Sequence, residues 1–145
     1  DASDRPVFHS QHLTPAGAPI FAEGSSSADF HADLQPAANH AVVRKTSISV
    51  FPTTDIDAQL KAKGIKTLIV SGLMTHACVA GAARDAVPLG YDVIVANDAC
   101  ATRDVDGADG QTVPHGLLHQ ASLASLADTF ADVQSTNAIL ALPRH

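Results

Sequence analysis

Thr67-Leu68-Ile69-Val70-Ser71-Gly72-Leu73-Met74-Thr75-His76-Ala77-Cys78-Val79-Ala80-Gly81-Ala82 decides the reading of this chain. Residues 67–71 form an almost continuously apolar run, the pattern of a parallel strand covered on both faces. An Ala-rich helical pattern from Ala77 to Leu89 follows, with Val79, Ala82, Ala83, Ala86 and Val87 at helical spacing. Cys78 therefore stands where a parallel strand ends and a helix begins. Open α/β sheets bind ligands at the carboxyl ends of their strands. The positive end of a helix favours an anionic sulfur, and the thiolate is the nucleophilic form. The segment reads as a nucleophile on a strand-to-helix turn. The alternative is a small buried hydrophobe, the usual state of a free cysteine.

The same alternation extends outward. Val7 to His12 and Ala41 to Lys45 read as strands, separated by a long Gly-, Pro- and Ser-containing loop from Leu13 to Pro36. A loop of that length in a small domain is usually functional, and this one is expected to shape substrate access or a subunit contact. Thr53 or Thr54 caps a helix from Asp55 to Lys63, which Gly64 ends. Tyr91 to Ala96 forms the next strand, followed by a polar loop from Thr102 to Gln111. Pro114 to Phe130 reads as an amphipathic helix and Val133 starts a short strand. Thr136 caps a last helix that runs through Leu142. Strands alternating with helices predict a doubly wound α/β fold with a parallel sheet.

Composition narrows the function. Hydrophobic residues make up 46% and charged residues 17%, and the formal net charge is −6. With no basic cluster, nucleic acid and anionic membrane surfaces are not expected partners. No apolar run approaches the roughly 20 residues that span a bilayer. Two cysteines do not make a disulfide scaffold, and the expected location is the reducing cytoplasm. The opening residues, Asp1 to Arg5, carry no initiator Met and lead at once into Pro6-Val7-Phe8, which suggests processing, truncation or an incomplete sequence.

Three segments together resemble the isochorismatase-like cysteine hydrolases, the family that includes nicotinamidases and N-carbamoylsarcosine-type amidohydrolases. Arg44 to Phe51 followed by Thr54-Asp55-Ile56 is similar to the family's lysine block. Gly72 to Val79 is similar to its nucleophile loop, and Gly90 to Ala99 to its next strand. The resemblance covers essentially all of residues 1–145 as one domain. It implies a Rossmann-like three-layer fold, a parallel sheet of order 3-2-1-4-5-6 and an Asp, Lys, Cys triad. Cys78 matches the nucleophile and Lys45 the lysine. The backbone N–H groups of Met74 and Cys78 match the oxyanion donors, and the Leu73–Met74 bond matches a non-proline cis peptide. Phe51 matches an aromatic position, as a pocket wall or as core packing.

The aspartate normally ends the family's first strand, and this sequence begins at the second. The resemblance thus implies a further N-terminal strand and helix, or some other occupant of that central place. Without one, two strands keep unpaired backbone groups, each costing roughly 1–3 kcal/mol when buried. Asp4, Asp29 and Asp33 are poor substitutes, since none ends an apolar strand.

The chemistry implied is hydrolysis of a small amide, N-carbamoyl or ureide bond through a thioester, with a homodimer or homotetramer as the assembly. Vinyl-ether hydrolysis of the isochorismate type is one alternative, and it does not need the cysteine. A non-catalytic binding or scaffold homologue is the other. Arg44 alternates to the face opposite Lys45. His76 and His12 are pocket candidates. Cys100 reads as an inert thiol and Asp98 as a loop-fixing carboxylate. His9 and His12 fall on opposite strand faces. His115 and His119 are four apart on a helix, a spacing that suits a metal, but no acidic partner accompanies them. Neither metal nor cofactor is expected.

Overall fold

The computed structural model describes residues 5–143, and Asp4 and the residues before it lie outside them. In chain order the elements are β1 (Phe8–His12), β2 (Ala41–Lys45), α1 (Ile56–Ala62), β3 (Thr67–Leu73), a π-helical turn (Thr75–Val79) and α2 (Ala80–Ala86). β4 (Asp92–Ala101), β5 (Val105–Asp106), β6 (Thr112–Val113), α3 (His115–Thr129), β7 (Asp132–Gln134) and α4 (Thr136–Leu140) follow.

All pairing except the small β5–β6 hairpin is parallel, as alternating strands and helices require. The strands form two blocks, β1–β2 and β3–β4–β7. Deleting the first strand from the order 3-2-1-4-5-6 leaves this same pairing, so the described residues build no continuous six-stranded sheet. One consequence corrects the reading of β3 as covered on both faces. Its residues alternate between exposed and half-buried, and Ile69 and Leu73 are 48% and 69% exposed.

Between the blocks runs a shared core. Val43 of β2, Ile56 and Leu60 of α1, Val79 and Ala83 of the nucleophile turn and α2, Val93 and Val95 of β4, and Leu126 of α3 pack together. α1 ends as its sequence dictates. Gly64 takes a positive φ of 68°, its N–H donates to the Lys61 carbonyl, and the Ile65 N–H donates to that of Leu60. This paired closure satisfies the last carbonyls and turns Ile65 back onto the core.

Several boundaries differ from the sequence expectation. β4 continues past Ala96 to Ala101, because a register shift opposite Val70 and Gly72 absorbs the polar Asn97-Asp98 pair. Gly72 sits at that shift with φ 118°, a conformation side chains resist. The expected Ala77–Leu89 helix starts two residues earlier as the π-helical turn and closes as a 3-10 turn over Val87–Leu89. The loop 102–111 contains β5. Ser135, not Thr136, caps α4, its hydroxyl accepting the Ala138 N–H, and the helix ends at Leu140.

Tyr91 ties the blocks together. It is 5% exposed and its hydroxyl donates to Asp57 Oδ1 on α1 at 2.8 Å. Burial and the neighbouring carboxylate push its pKa up to about 12. A raised pKa contributes stability that is full below the unfolded value near 10 and is lost as pH climbs towards 12. Wild type should therefore lose its stability advantage over Tyr91→Phe across that window, measured as urea midpoints; a constant difference would contradict the assignment.

Candidate active site

β2 delivers Lys45 into the interior. Strand alternation turns Val43 and Lys45 inward and leaves Val42 and Arg44 exposed. Lys45 is 3% exposed, and a buried ammonium is tolerated only when its donors are used. Its Nζ lies within hydrogen-bond distance of four groups, the carbonyls of Ser47 (2.7 Å) and Ile48 (2.9 Å), His12 Nδ1 (3.1 Å) and Cys78 Sγ (3.4 Å), and its three hydrogens are shared among them. The loop after β2 thus curls round the amine. Close packing by α2 holds the curl in place: a Cβ on Gly81 would lie 3.3 Å from Ile48 Cγ2 and 3.5 Å from the Ser49 backbone.

β3 delivers Cys78. The strand runs into a cis Leu73–Met74 peptide and then the π-helical turn, where the Met74 carbonyl accepts the N–H groups of Ala77 and Val79. Cys78 lies in this wide turn, half-buried and unpaired with Cys100. The result is a thiol beside a cation held by fixed carbonyls, an arrangement suited to an anionic sulfur.

His12 ends β1 directly opposite Lys45 in the register. Because Lys45 can only donate, His12 Nδ1 is the acceptor and the ring is neutral with its proton on Nε2. Burial, then the Lys45 charge, lowers its pKa. The long loop folds back over this residue, with Phe21 stacked on the His12 ring at 5.5 Å and Gln11 donating to the Ala28 carbonyl.

The other sequence candidates scatter. Phe51 stacks on Tyr91 and joins the core, so packing is the role its contacts show. His76 bonds Thr102 at the end of β4 through Nδ1. Asp98 accepts the Thr136 N–H and hydroxyl, which lower its pKa and fix the start of α4, the loop-fixing role read from the sequence. Cys100 lies opposite Gly72, and burial raises its pKa. His9 pairs with His40 at 3.0 Å. The spacing of His115 and His119 does not mark a metal pair: His115 bonds Asp104, whereas His119 bonds Thr75. Among the described residues no three His, Cys, Asp or Glu gather to hold a metal ion. Asp29 and Asp33 lie exposed in or beside short 3-10 turns. The buried Thr75 hydroxyl and its partner His119 are the pair that sequence reasoning missed.

The Isochorismatase domain model matches residues 1–138. The chain belongs to the isochorismatase family of hydrolases. It is 37% identical over 138 residues to the secreted isochorismatase effector Isc1 of Verticillium dahliae, covering 95% of this chain and 70% of that protein. It is 34% identical over 89 residues to the ureidoacrylate amidohydrolase RutB of Variovorax paradoxus, covering 61% of this chain and 34% of that one. A crystal structure of an isochorismatase-type protein from Burkholderia xenovorans superposes with a TM-score of 0.89 at 34% identity, over 94% of this chain and 65% of that chain. The chain thus spans from about a third to 70% of the length of these three relatives. Among the described residues no helix is long and apolar enough to cross a membrane.

A cation beside a sulfur favours the thiolate, the form that alkylates. Replacing Lys45 with Met should therefore slow alkylation of Cys78 by iodoacetamide at pH 7.5. An unchanged rate would separate the two residues functionally.

Proposed function

We propose that the protein is a cysteine hydrolase of a small amide, N-carbamoyl or ureide-type C–N bond, working through a thioester on Cys78. The observation that carries this reading is the hydrogen bond from buried Lys45 Nζ to Cys78 Sγ. That pairing places a cation beside the one atom that must become anionic to attack. Vinyl-ether hydrolysis gives the thiol no task, and the amidohydrolase name of one relative fits the amide reading.

In the proposed reaction the thiolate adds to the carbonyl carbon, and the oxyanion is received by the N–H groups of Met74 and Cys78. The C–N bond then breaks, and the proton taken from the thiol passes to the leaving nitrogen. Water adds to the thioester and releases the acid, restoring the thiol. The proton carrier is a carboxylate. Among the described residues no Asp or Glu hydrogen bonds to Cys78 or Lys45. We assign the role to the aspartate that the family carries at the end of a central strand, seated between the β1–β2 and β3–β4–β7 blocks. The separation of those blocks supports that assignment. We place the enzyme in a reducing compartment, which keeps Cys78 a thiol.

The test is a substrate panel of primary amides, N-carbamoyl compounds and ureides, assayed with the full-length protein and its Cys78→Ala and Cys78→Ser variants. Hydrolysis of at least one class should fall by 10³-fold or more, on the order seen when a covalent nucleophile is removed. Hydrolysis retained by Cys78→Ala would exclude the covalent route.

A further inference from the structure

Two consecutive residues of the nucleophile turn are tethered in the same way to two different elements. His76 bonds Thr102 at the end of β4, and Thr75 bonds His119 of α3, with Oγ1 to Nδ1 at 2.9 Å. Thr75 is 0% exposed. A buried hydroxyl left without a partner costs about 1–3 kcal/mol, so this one must be held. Thr75 opens the turn directly after the cis Leu73–Met74 peptide, and Cys78 lies three residues on. α3 is itself anchored at both ends of its path. Leu126 is fully buried in the core, and Asp104 Oδ1 receives the His115 N–H at 2.6 Å and pairs with its ring at 2.8 Å. His119 thus reaches the turn from a helix held to the core at Leu126 and to Asp104 at its start.

We propose that His119 is a positioning residue for the nucleophile: through the Thr75 hydroxyl it sets the turn that aims Cys78 and the Met74 and Cys78 N–H groups. The proposal rests on the cysteine-hydrolase reading and adds a residue that touches neither substrate nor thiol. It also explains why the two histidines of α3, four apart in sequence, serve different partners. His115 starts the helix and His119 uses it.

The experiment is a double-mutant cycle on the full-length protein with His119→Leu and Thr75→Val, together with His119→Asn and Thr75→Ser. Asn places an oxygen close to the position of Nδ1, and Ser keeps the hydroxyl. With the best substrate of the panel, His119→Leu and Thr75→Val should each lower kcat by about 10- to 100-fold, the scale of a misaimed reacting group, with KM little changed. The double variant should lose no more than either single one, since both remove one contact. His119→Asn and Thr75→Ser should recover most of the rate. A full kcat in His119→Leu, multiplicative losses, or failure of His119→Asn to recover activity would overturn the proposal. If His119→Leu does not fold, the Asn and Ser variants decide the question alone: near-wild-type kcat supports it, and a loss equal to that of Thr75→Val contradicts it. Cys78→Ala is run alongside. Activity retained there overturns the parent reading, whereas an inactive Cys78→Ala beside a fully active His119→Leu overturns only this one.

Discussion

A buried ammonium must spend its hydrogens on something, and the architecture around Lys45 follows from that demand. Two carbonyls of the loop after β2, a neutral imidazole at the end of β1 and the sulfur after β3 converge on one nitrogen. They come from three stretches of chain, and the contact with Cys78 links the β1–β2 block to the turn that follows β3. Removing that cation would leave buried acceptors whose desolvation nothing repays. The same contacts that make Lys45 tolerable inside the fold make it the electrostatic partner of Cys78.

The nucleophile turn meets the complementary demand. It must hold a reactive atom at a strand end without letting the backbone relax around it. Gly72 permits the register shift that closes β3 against β4, the π-helical turn widens the backbone round Cys78, and the Thr75 and His76 side chains are tied outward to α3 and to Thr102 just past β4. Gly81 lets α2 approach the lysine loop closely enough to hold its carbonyls in place. Rigidity of this kind, shared among packed elements, is what keeps a nucleophile aimed.

Much of this was legible in the amino-acid order. The strand-to-helix transition at Cys78, the inward alternation of Lys45 against Arg44, the Gly64 closure of α1 and the loop-fixing role of Asp98 all rest on local rules, and local rules are what a sequence displays. The extent of β4 was not legible. Asn97-Asp98 looks like a strand end, and only the slip against β3 allows the strand to continue. Coverage of β3 is not legible for a related reason: an apolar run declares what a strand would bury, not which neighbours are there to bury it. Phe51 could be assigned to pocket or core only by its partner Tyr91, 40 residues away in the chain. The partners of His115 and His119, Asp104 and Thr75, were not legible, because helical periodicity is local and those partners come from elsewhere in the fold.

The covalent bond proposed at Cys78 is directly observable. The full-length protein, mixed with its best amide substrate and acid-quenched within the first turnovers, should yield a Cys78-containing peptide heavier by the substrate's acyl group and restored by hydroxylamine. Continued turnover with the Cys78 peptide unmodified at every quench time, or the acyl group found on another residue, would contradict the account.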